Sequence, residues 1–416
     1  MTYIPRLADG ELAARLRRSG AVLIEGAKWC GKTETATRAA GSVVHVDTDP
    51  DVAPLMDIDP NLVLEGAPPR LLDEWQWQLR LWDVVRHAVD ERKQPGQFVL
   101  TGSATRDKKV RRHSGAGRFS VLRMRPLSLW ESGVSSGAVS LRELRAGGDV
   151  VPAGPVPASL DDVIGAILRG GWPATARLPL EDARQYVLDY LDLLADADIS
   201  QAEGVRRDPV RVRQLLASLG RNTATTASLS TMVADAAGAD GALTADTASG
   251  YLRDLERLMI AEEQPAWSTA LRDAARLRRA AKRHLVCPSL AAAAMGATAA
   301  KLKAEPNTLG NLFESLVVRD LRVYAQGDRG GLFHYRDSSG REIDAVIEYP
   351  DGWVACEIKL GTGAVEAAAA SLSAAVAAID TQTVGGPDAM LVITGGGPTY
   401  RRPDGIVVVP ITALKD

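Results

Sequence analysis

The stretch that decides the fold reads Gly26-Ala27-Lys28-Trp29-Cys30-Gly31-Lys32-Thr33. It fits the pattern G-x-x-x-x-G-K-[ST] without a gap, follows apolar residues 21–24 and precedes a helical segment at 34–40. A strand, a glycine-bearing loop and a helix in this order predict main-chain amides that turn towards a phosphate. A chance match in a glycine-bearing turn is the alternative, which the flanking strand and helix disfavour. We therefore expect an ATP-binding loop formed by Gly26, Ala27, Lys28, Trp29, Cys30, Gly31, Lys32, Thr33 and Glu34.

Within that loop, the chemistry assigns separate tasks to the last two motif residues. The Lys32 ammonium is expected to reach the β- and γ-phosphates, and the Thr33 hydroxyl to ligate Mg²⁺. Two acids, Asp73 and Glu74, follow an apolar strand-like run about 40 residues later. We expect Asp73 to hold the Mg²⁺ shell and Glu74 to polarise the attacking water, the alternative being a plain helix cap.

A third strand-like run, residues 98–100, leads into Thr101-Gly102-Ser103. We prefer Ser103 to Thr101 as a sensor of the γ-phosphate, and an ordinary Gly-Ser turn is the alternative. Arg118 follows glycines and is a candidate arginine finger or a plain surface arginine. The charged run at 106–113 is either a solvated face or a nucleic-acid contact.

Composition limits the class of protein. The chain has 416 residues, 46% of them hydrophobic, and a formal net charge of -3, so it is not coated in basic charge. Three widely separated cysteines argue against a disulfide scaffold and a structural zinc site, which favours the cytoplasm. The beginning lacks a signal-like apolar stretch, and no run approaches the ~20 apolar residues of a membrane span. We expect no membrane partner.

The C-terminal part carries a second group of carboxylates. Pro350-Asp351-Gly352 is a turn signal between two apolar-rich runs and predicts a β-hairpin. Alternate residues share a face of a strand, so Glu342 and Asp344 face together, as do Glu357 and Lys359. Two carboxylates can bind Mg²⁺ or Mn²⁺, and a lysine can orient a metal-bound water. Asp344 and Glu357 are the predicted metal ligands, and alternating charges on an exposed hairpin are the alternative.

Glu314 lies among apolar residues at helical spacing, so we expect a partner for it, either a metal or Lys359. For the last ~110 residues we expect a helix, three strands that include the hairpin, a second helix at 363–379 and a final strand at 390–394. This order and the Asp, Glu-x-Lys pattern resemble the PD-(D/E)xK nuclease core. The resemblance implies nuclease-like catalytic residues Glu314, Asp344, Glu357 and Lys359, with cleavage itself left open.

The motifs together resemble a group of prokaryotic AAA-type ATPases with a C-terminal DUF4143 domain. Besides the loop, the resemblance rests on stretches at 71–76, 100–103, 116–118, 125–131 and 170–173. It implies that Asp73 and Glu74 are the Walker B acids, that Ser103 is sensor-like and that Arg118 is finger-like. Glu74, Ser103 and Arg118 are thus the expected catalytic residues of the ATPase.

The middle of the chain predicts helix, turn and capped helix at 226–256, with Arg253 and Arg257 facing outward. Such a layout suits a winged helix that reads a major groove, although Asp254 and Glu256 in the same helix equally favour protein docking. The expected α/β organisation is a P-loop AAA-type parallel-sheet domain (1–150), a helical segment (151–208), a winged-helix-like segment (209–267) and a restriction-endonuclease-like domain (268–416).

Two functional hypotheses follow. The first is an ATPase coupled to a nuclease-like domain that acts on or with DNA or RNA. The second is an ATP-dependent switch whose C-terminal domain binds a partner without cleavage, and a toxin–antitoxin role is a version of either. ATP with Mg²⁺ is the expected cofactor, and a homo-oligomer or a regulatory protein is an expected partner.

Overall fold

The computed structural model describes residues 3–102, 115–156, 158–199, 207–236, 244–269 and 280–416. Ser103 and the charged run at 106–113 therefore lie outside the described residues. The chain separates into two compact units. The first is Met1–Pro126 with Arg257–Met259, and the second is Leu127–Glu256 with Ile260–Asp416. The domain bounds expected from the sequence, at residues 150, 208 and 267, stay predictions.

In the described part of the chain, the first unit forms a five-stranded sheet in the order β2-β3-β4-β1-β5. Its elements are α1 (Leu7–Leu16), β1 (Ala21–Gly26), α2 (Lys32–Ala39), β2 (Ser42–His45), α3 (Val52–Ile58), β3 (Arg70–Asp73), α4 (Leu81–Arg92), β4 (Phe98–Thr101) and β5 (Phe119–Met124). All pairings are parallel, as predicted. The carboxyl ends of neighbouring strands β1, β4 and β3 therefore meet at one edge.

Hydrophobic burial explains why the short apolar runs become central strands. Every residue of β4 is buried, and the first four residues of β1 are buried as well. Strands covered on both faces read as continuous apolar runs, which is why the sequence predicted them. Trp82 of α4 stacks on Phe119 of β5 with ring centroids 4.1 Å apart and closes one side of this core.

The second unit opens with small sheet elements and a series of helices. These are β6 (Val139–Ser140), α5 (Leu141–Arg145), β7 (Ala153–Val156), α6 (Leu160–Arg169), α7 (Leu180–Leu193), α8 (Pro209–Arg221), α9 (Leu229–Asp235), α10 (Ala245–Arg257), β8 (Ala261–Gln264) and β9 (Lys282–Leu285). The Gly-, Val- and Pro-rich composition of residues 147–157 is typical of a loop, whereas four of those residues form β7. Backbone pairing with a distant strand, invisible to local sequence patterns, produces this difference.

The remaining elements form the C-terminal sheet and its helices. They are α11 (Pro288–Ala294), α12 (Ala299–Ala304), α13 (Pro306–Gln326), β10 (Gly331–Arg336), β11 (Glu342–Tyr349), β12 (Gly352–Lys359), α14 (Val365–Ala377), α15 (Thr381–Val384), β13 (Ala389–Thr394), β14 (Gly397–Arg401), β15 (Val407–Pro410) and β16 (Leu414–Lys415). Among the described residues the sheet order is β10-β11-β12-β13-β15-β14-β7. The expected order of helix, three strands, helix and strand is present in α13 to β13.

The β8–β9 hairpin packs onto the C-terminal sheet. The Gln264 amide donates hydrogen bonds to the carbonyls of Phe333 and Asp344 at 2.8 and 2.9 Å. Just beyond the hairpin's first strand, the ring of Trp267 lies 4.6 Å from that of Trp353. A hairpin that follows the middle helices in sequence is thus built into the C-terminal core. None of the helices in the described ranges has both the length and the apolar character needed to span a bilayer.

Candidate functional site

The loop between β1 and α2 bends sharply at the sheet edge. Trp29 and Gly31 have positive φ values of 62° and 104°, so the chain reverses before Lys32 starts the helix. A Cβ on Gly26 would collide with the Met124 carbonyl and lie 2.9 Å from Cys30 Sγ. Glycine at 26 therefore lets the loop lie flat against the neighbouring strand.

A buried arginine fixes the loop from behind. Arg6, just before α1, donates hydrogen bonds to the carbonyls of Cys30 and Arg125, each at 2.7 Å. Its guanidinium therefore ties the loop to the chain that leaves β5. The role of Arg6 was not predictable from the sequence, because an arginine before a helix carries no local signal of such a contact.

The Lys32 side chain lies within the loop. Its Nζ donates hydrogen bonds to the carbonyls of Gly26 and Ala27 at 3.0 and 2.9 Å, and only 7% of the residue is exposed. The first helical turn of α2 directs its amides and partial positive charge to the same side. The predicted strand, loop and helix are present, and their arrangement suits an anion such as a phosphate.

Asp73, at the end of β3, connects three strand ends to the helix. Its Oδ1 accepts hydrogen bonds from the Thr33 hydroxyl at 2.9 Å and from the Thr101 hydroxyl at 2.5 Å. Its Oδ2 lies 3.1 Å from Nδ1 of His45, at the end of β2. The structure thus brings together the predicted pair Thr33 and Asp73 and adds Thr101 and His45. The sequence could indicate that Thr101 and His45 lie at strand ends. It could not indicate the order of the strands, which brings both residues next to Asp73.

Glu74 follows in a left-handed conformation, with φ 54° and ψ 39°. This backbone is uncommon outside glycine and turns the side chain out of the strand direction. The Glu74 carboxylate accepts a hydrogen bond from the Gln76 amide. The other amide atom of Gln76, Oε1, is buried without a hydrogen-bond partner among the described residues. Gln76 therefore fixes the carboxylate that the sequence predicts to be the base.

The loop pattern implies Mg²⁺, and the donor set fits it. Thr33 and Asp73 offer a hydroxyl and a carboxylate, the hard oxygen ligands that Mg²⁺ prefers. A metal held by these two protein oxygens would take its remaining ligands from phosphate and water. In the described ranges, no group of three or more His, Cys, Asp or Glu side chains is placed to hold a metal by itself. The donor set therefore suits a metal that arrives with a nucleotide.

Arg118 lies at the opposite edge of the sheet. It directly precedes β5, whose first residue pairs with Ala21 at the start of β1, roughly 20 Å along the strand from the loop. Its guanidinium donates to Asp90 at 2.8 and 3.0 Å. Arg118 therefore does not reach the loop of its own chain, and its finger role stays a prediction that requires another chain. Ser103 lies outside the described residues.

The C-terminal hairpin brings the predicted carboxylates and lysine together. Nζ of Lys359 lies 3.2 Å from Oδ2 of Asp344 and 2.8 Å from Oε1 of Glu357. The same Asp344 oxygen accepts a hydrogen bond from the main-chain amide of Ile358 at 2.9 Å. The antiparallel register pairs Ala345 with Cys356, which places Asp344 opposite Glu357 on the neighbouring strand. The two carboxylates therefore lie close together.

A second lysine, absent from the prediction, enters the same place. Nζ of Lys282 lies 2.8 Å from Oε1 of Glu314, 2.9 Å from Oε1 of Glu342 and 3.7 Å from Oδ1 of Asp344. The expected partner of Glu314 was a metal or Lys359, and the partner in the structure is Lys282. We call Glu314, Glu342, Asp344 and Glu357 the acidic cluster. Lys282 is about 60 positions before β11, and no local pattern in the sequence indicated that its side chain meets these carboxylates.

Burial dominates the electrostatics of this cluster. It raises the pKa of Glu314 to about 7, against the attraction of Lys282. Burial and the nearby charge of Asp344 also raise the pKa of Glu357 to about 7. Burial lowers the pKa of Lys282, but its carboxylate partners outweigh this and leave that pKa above its ordinary value. Glu357 Oε2 is buried and lacks a hydrogen-bond partner within the described residues.

The exposed face of α10 differs in composition from the face predicted for this helix. Leu252 and Leu255 are buried, as expected for an apolar stripe. Asp254, however, is only 2% exposed and pairs with Arg207 at 2.9 Å, so it does not contribute to the outward face. The Ser218 hydroxyl of α8 donates a hydrogen bond to the Met232 carbonyl of α9 at 3.1 Å, and the Asp208 amide before α8 donates to the Tyr251 hydroxyl of α10 at 3.2 Å. An antiparallel bridge joins Thr225 to Arg283 of β9, so these helices and the hairpin form one assembly.

Comparison with known proteins gives three matched regions. Residues 18–132 match the family described as an AAA domain, and residues 309–414 match a domain of unknown function, DUF4143. The expected likeness to both is confirmed. Residues 160–301 match a further domain of unknown function, DUF8612. No curated protein matches the chain.

One similar solved structure is the Walker-type ATPase PABY2304 of Pyrococcus abyssi. The alignment has a TM-score of 0.42 and 13% sequence identity, and it covers 70% of this chain and 96% of that chain.

Proposed function

We propose that the chain binds ATP with Mg²⁺ at the β1–α2 loop and hydrolyses it. One observation carries the proposal: the Thr33 hydroxyl, the Asp73 carboxylate and the Lys32 loop meet at one edge of a parallel sheet. The match of residues 18–132 to an AAA domain supports the same function.

Each residue at this edge has a physical role. The main-chain amides of residues 27–33 and the N-terminus of α2 bind the phosphates, and Lys32 exchanges its loop carbonyls for phosphate oxygens. Thr33 and Asp73 hold Mg²⁺, which would neutralise developing phosphate charge when bound. Glu74, oriented by Gln76, accepts the proton of the attacking water. Arg118 of a neighbouring chain, and Ser103, complete the proposed catalytic set.

Calorimetry of the full chain with ATP and Mg²⁺, paired with a phosphate-release assay, tests the proposal. We expect binding and hydrolysis in the unaltered protein, loss of binding in Lys32→Ala, and binding without hydrolysis in Glu74→Gln. Lys93→Ala, which removes an exposed lysine at the end of α4 in the same unit, is the control. Absence of binding heat with either ATP or GTP contradicts the proposal.

For the C-terminal domain, the grouping of Asp344, Glu357 and Lys359 supports a nuclease-like fold. The presence of Lys282 in the acidic cluster favours the non-cleaving hypothesis. The domain then binds a partner, and ATP hydrolysis switches that binding. The assembly of α8, α9, α10 and the β8–β9 hairpin supports a winged-helix segment, with protein docking favoured over groove reading because the hairpin is packed inside the unit.

Incubation with plasmid, single-stranded DNA or RNA in the presence of Mn²⁺ tests this second role. We expect no cleavage on any substrate while ATP hydrolysis is intact. Cleavage that Asp344→Asn abolishes and Lys32→Ala retains contradicts it.

The cytoplasm remains the proposed location, because the three cysteines Cys30, Cys287 and Cys356 are free thiols.

A further inference from the structure

The acidic cluster contains a cation that the chain itself supplies. The Lys282 ammonium is almost fully buried, with 3% of the residue exposed. It lies within 2.8–3.7 Å of one oxygen each of Glu314, Glu342 and Asp344. These carboxylates come from α13 and β11, whereas Lys282 begins β9. The cation therefore joins two parts of the second unit that are distant in sequence.

Neighbouring hydrogen bonds hold the ammonium in place. Gln264, opposite Lys282 in the hairpin register, donates to the Asp344 carbonyl at 2.9 Å. Two residues beyond Lys282, buried His284 lies 3.0 Å from Oε1 of Gln264 and 3.2 Å from Oγ of Ser315. The strand that carries Lys282 is thereby attached on both sides, which fixes the position of its side chain.

The acidic cluster cannot hold the Lys282 ammonium and a divalent cation at the same position. Mg²⁺ requires oxygen ligands at about 2.0–2.1 Å in near-octahedral geometry. The oxygens nearest to Lys282 are oriented towards its Nζ, and those of Asp344 and Glu357 on the other side are shared with Lys359. A divalent cation at this point would stand a few ångströms from one or two ammonium groups in a poorly solvated place, where like charges repel strongly.

The remaining charge indicates what happens when Lys282 is lost. Four carboxylates surround two ammonium groups, and the buried Oε2 of Glu357 has no hydrogen-bond partner in the described residues. Without Lys282, the carboxylates of Glu314 and Glu342 would lose the cation they pair with, and Asp344 would keep only Lys359, 3.2 Å from its Oδ2. With Lys282 between them, these described side chains are not placed to hold a metal. Once the ammonium is removed, their oxygens are free to close around a cation, and carboxylate oxygens bind Mn²⁺ and Mg²⁺.

We infer that Lys282 takes the place of a divalent metal in the acidic cluster, so that this chain binds no divalent cation there and its removal creates an Asp344-dependent metal site. The inference rests on the nuclease-like arrangement proposed above and is independent of the ATP site.

Mn²⁺ titration of the full chain without nucleotide tests it, with bound ions counted by electron paramagnetic resonance and calorimetry. The proteins are the unaltered chain, Asp344→Asn, Lys282→Met and the double variant. Lys301→Met, which alters a lysine on the surface of the same unit, is the control. We expect equal ion counts for the unaltered chain, Asp344→Asn and the control. Lys282→Met should bind one more ion than the double variant, and Mn²⁺ should raise its melting temperature.

Two results overturn the inference. One is an unaltered chain that binds one more Mn²⁺ than Asp344→Asn. The other is a folded Lys282→Met that binds no more than the double variant. If Lys282→Met does not fold, the first comparison still decides, since equal counts support the inference. The ATPase proposal would fail separately, if the unaltered chain does not bind ATP. The non-cleaving role would fail if the chain cleaves nucleic acid in an Asp344-dependent way.

Discussion

The Thr33 hydroxyl donates a 2.9 Å hydrogen bond to Oδ1 of Asp73, although 40 positions separate the two residues. Thr101 donates to the same oxygen, and His45 lies against the other. The Asp73 carboxylate, at the end of β3, therefore links α2 to the ends of β2 and β4. Because a metal-ligating carboxylate is oriented by its hydrogen-bond partners, each of these contacts has a measurable consequence.

Replacing Thr101 by valine should weaken the response to Mg²⁺. Valine keeps the buried shape but removes the 2.5 Å hydrogen bond to Asp73, so the carboxylate is less well oriented. We expect the Mg²⁺ concentration for half-maximal ATP hydrolysis to rise roughly 10-fold. Steady-state hydrolysis at fixed ATP measures this. Thr101→Ser keeps the hydroxyl and should resemble the unaltered chain, and an unchanged Mg²⁺ requirement in Thr101→Val would disprove the role.

Replacing Gln76 by alanine should slow hydrolysis without weakening ATP binding. The Gln76 amide donates to the Glu74 carboxylate, so its loss leaves the base poorly oriented. We expect a drop in kcat of about 10-fold, within the range of general-base effects. Trp77→Ala is the control, because that neighbouring side chain is exposed. Equal kcat values for Gln76→Ala and the unaltered chain would argue against an orienting role.

Arg118 should act on the nucleotide of another chain. It lies at the sheet edge away from its own loop, and its exposed ion pair with Asp90 contributes little to stability, so the side chain can exchange partners. We expect Arg118→Ala and Glu74→Gln each to hydrolyse ATP poorly alone, while a mixture regains part of the activity. In the mixture, a site with Glu74 receives the arginine of the other variant.

The control for this experiment is a mixture of Arg118→Ala with the Lys32→Ala, Arg118→Ala double variant, which supplies no arginine and should restore no activity. Activity per chain should rise with protein concentration if chains associate. If Arg118→Ala alone hydrolyses ATP at the rate of the unaltered chain, the arginine has no part in the mechanism.

The pKa of Glu357 predicts how stability depends on pH. Burial raises that pKa from 4.5 to about 7, so the folded chain holds the proton more tightly than the unfolded chain. The stabilising contribution of the protonated group is therefore lost as pH rises from about 4.5 through 7. Relative to Glu357→Gln, the unaltered chain should lose on the order of 2 kcal/mol of unfolding free energy across this window.

Denaturant unfolding followed by circular dichroism at several pH values measures that difference. Asp351→Asn, at the exposed tip of the same hairpin, is the control and should follow the unaltered chain. A constant difference between Glu357→Gln and the unaltered chain from pH 4.5 to 8 would show that Glu357 ionises normally.

Local patterns were sufficient for the central strands β1 and β4 of the first sheet and for the C-terminal hairpin. The runs at 21–24 and 98–100 are buried on both faces, and Pro350-Asp351-Gly352 forms the turn where the pattern indicates one. The strand β7 was not predictable in this way. Its residues are rich in Gly, Pro and small side chains, and its pairing with β14 bridges more than 200 positions.

The same distinction applies to the sites. The sequence determined which chemical groups are available: a phosphate loop, an acid pair after a strand, and a Glu-x-Lys strand opposite an Asp. These signals are local, because strand alternation and helix termini are properties of neighbouring residues. Only the tertiary structure decided that Thr101 and His45 contact Asp73, that Arg118 lies at the far edge, and that Lys282 enters the acidic cluster. Such contacts depend on strand order and hairpin docking, which are set by burial summed over the whole chain and leave no trace at any single position.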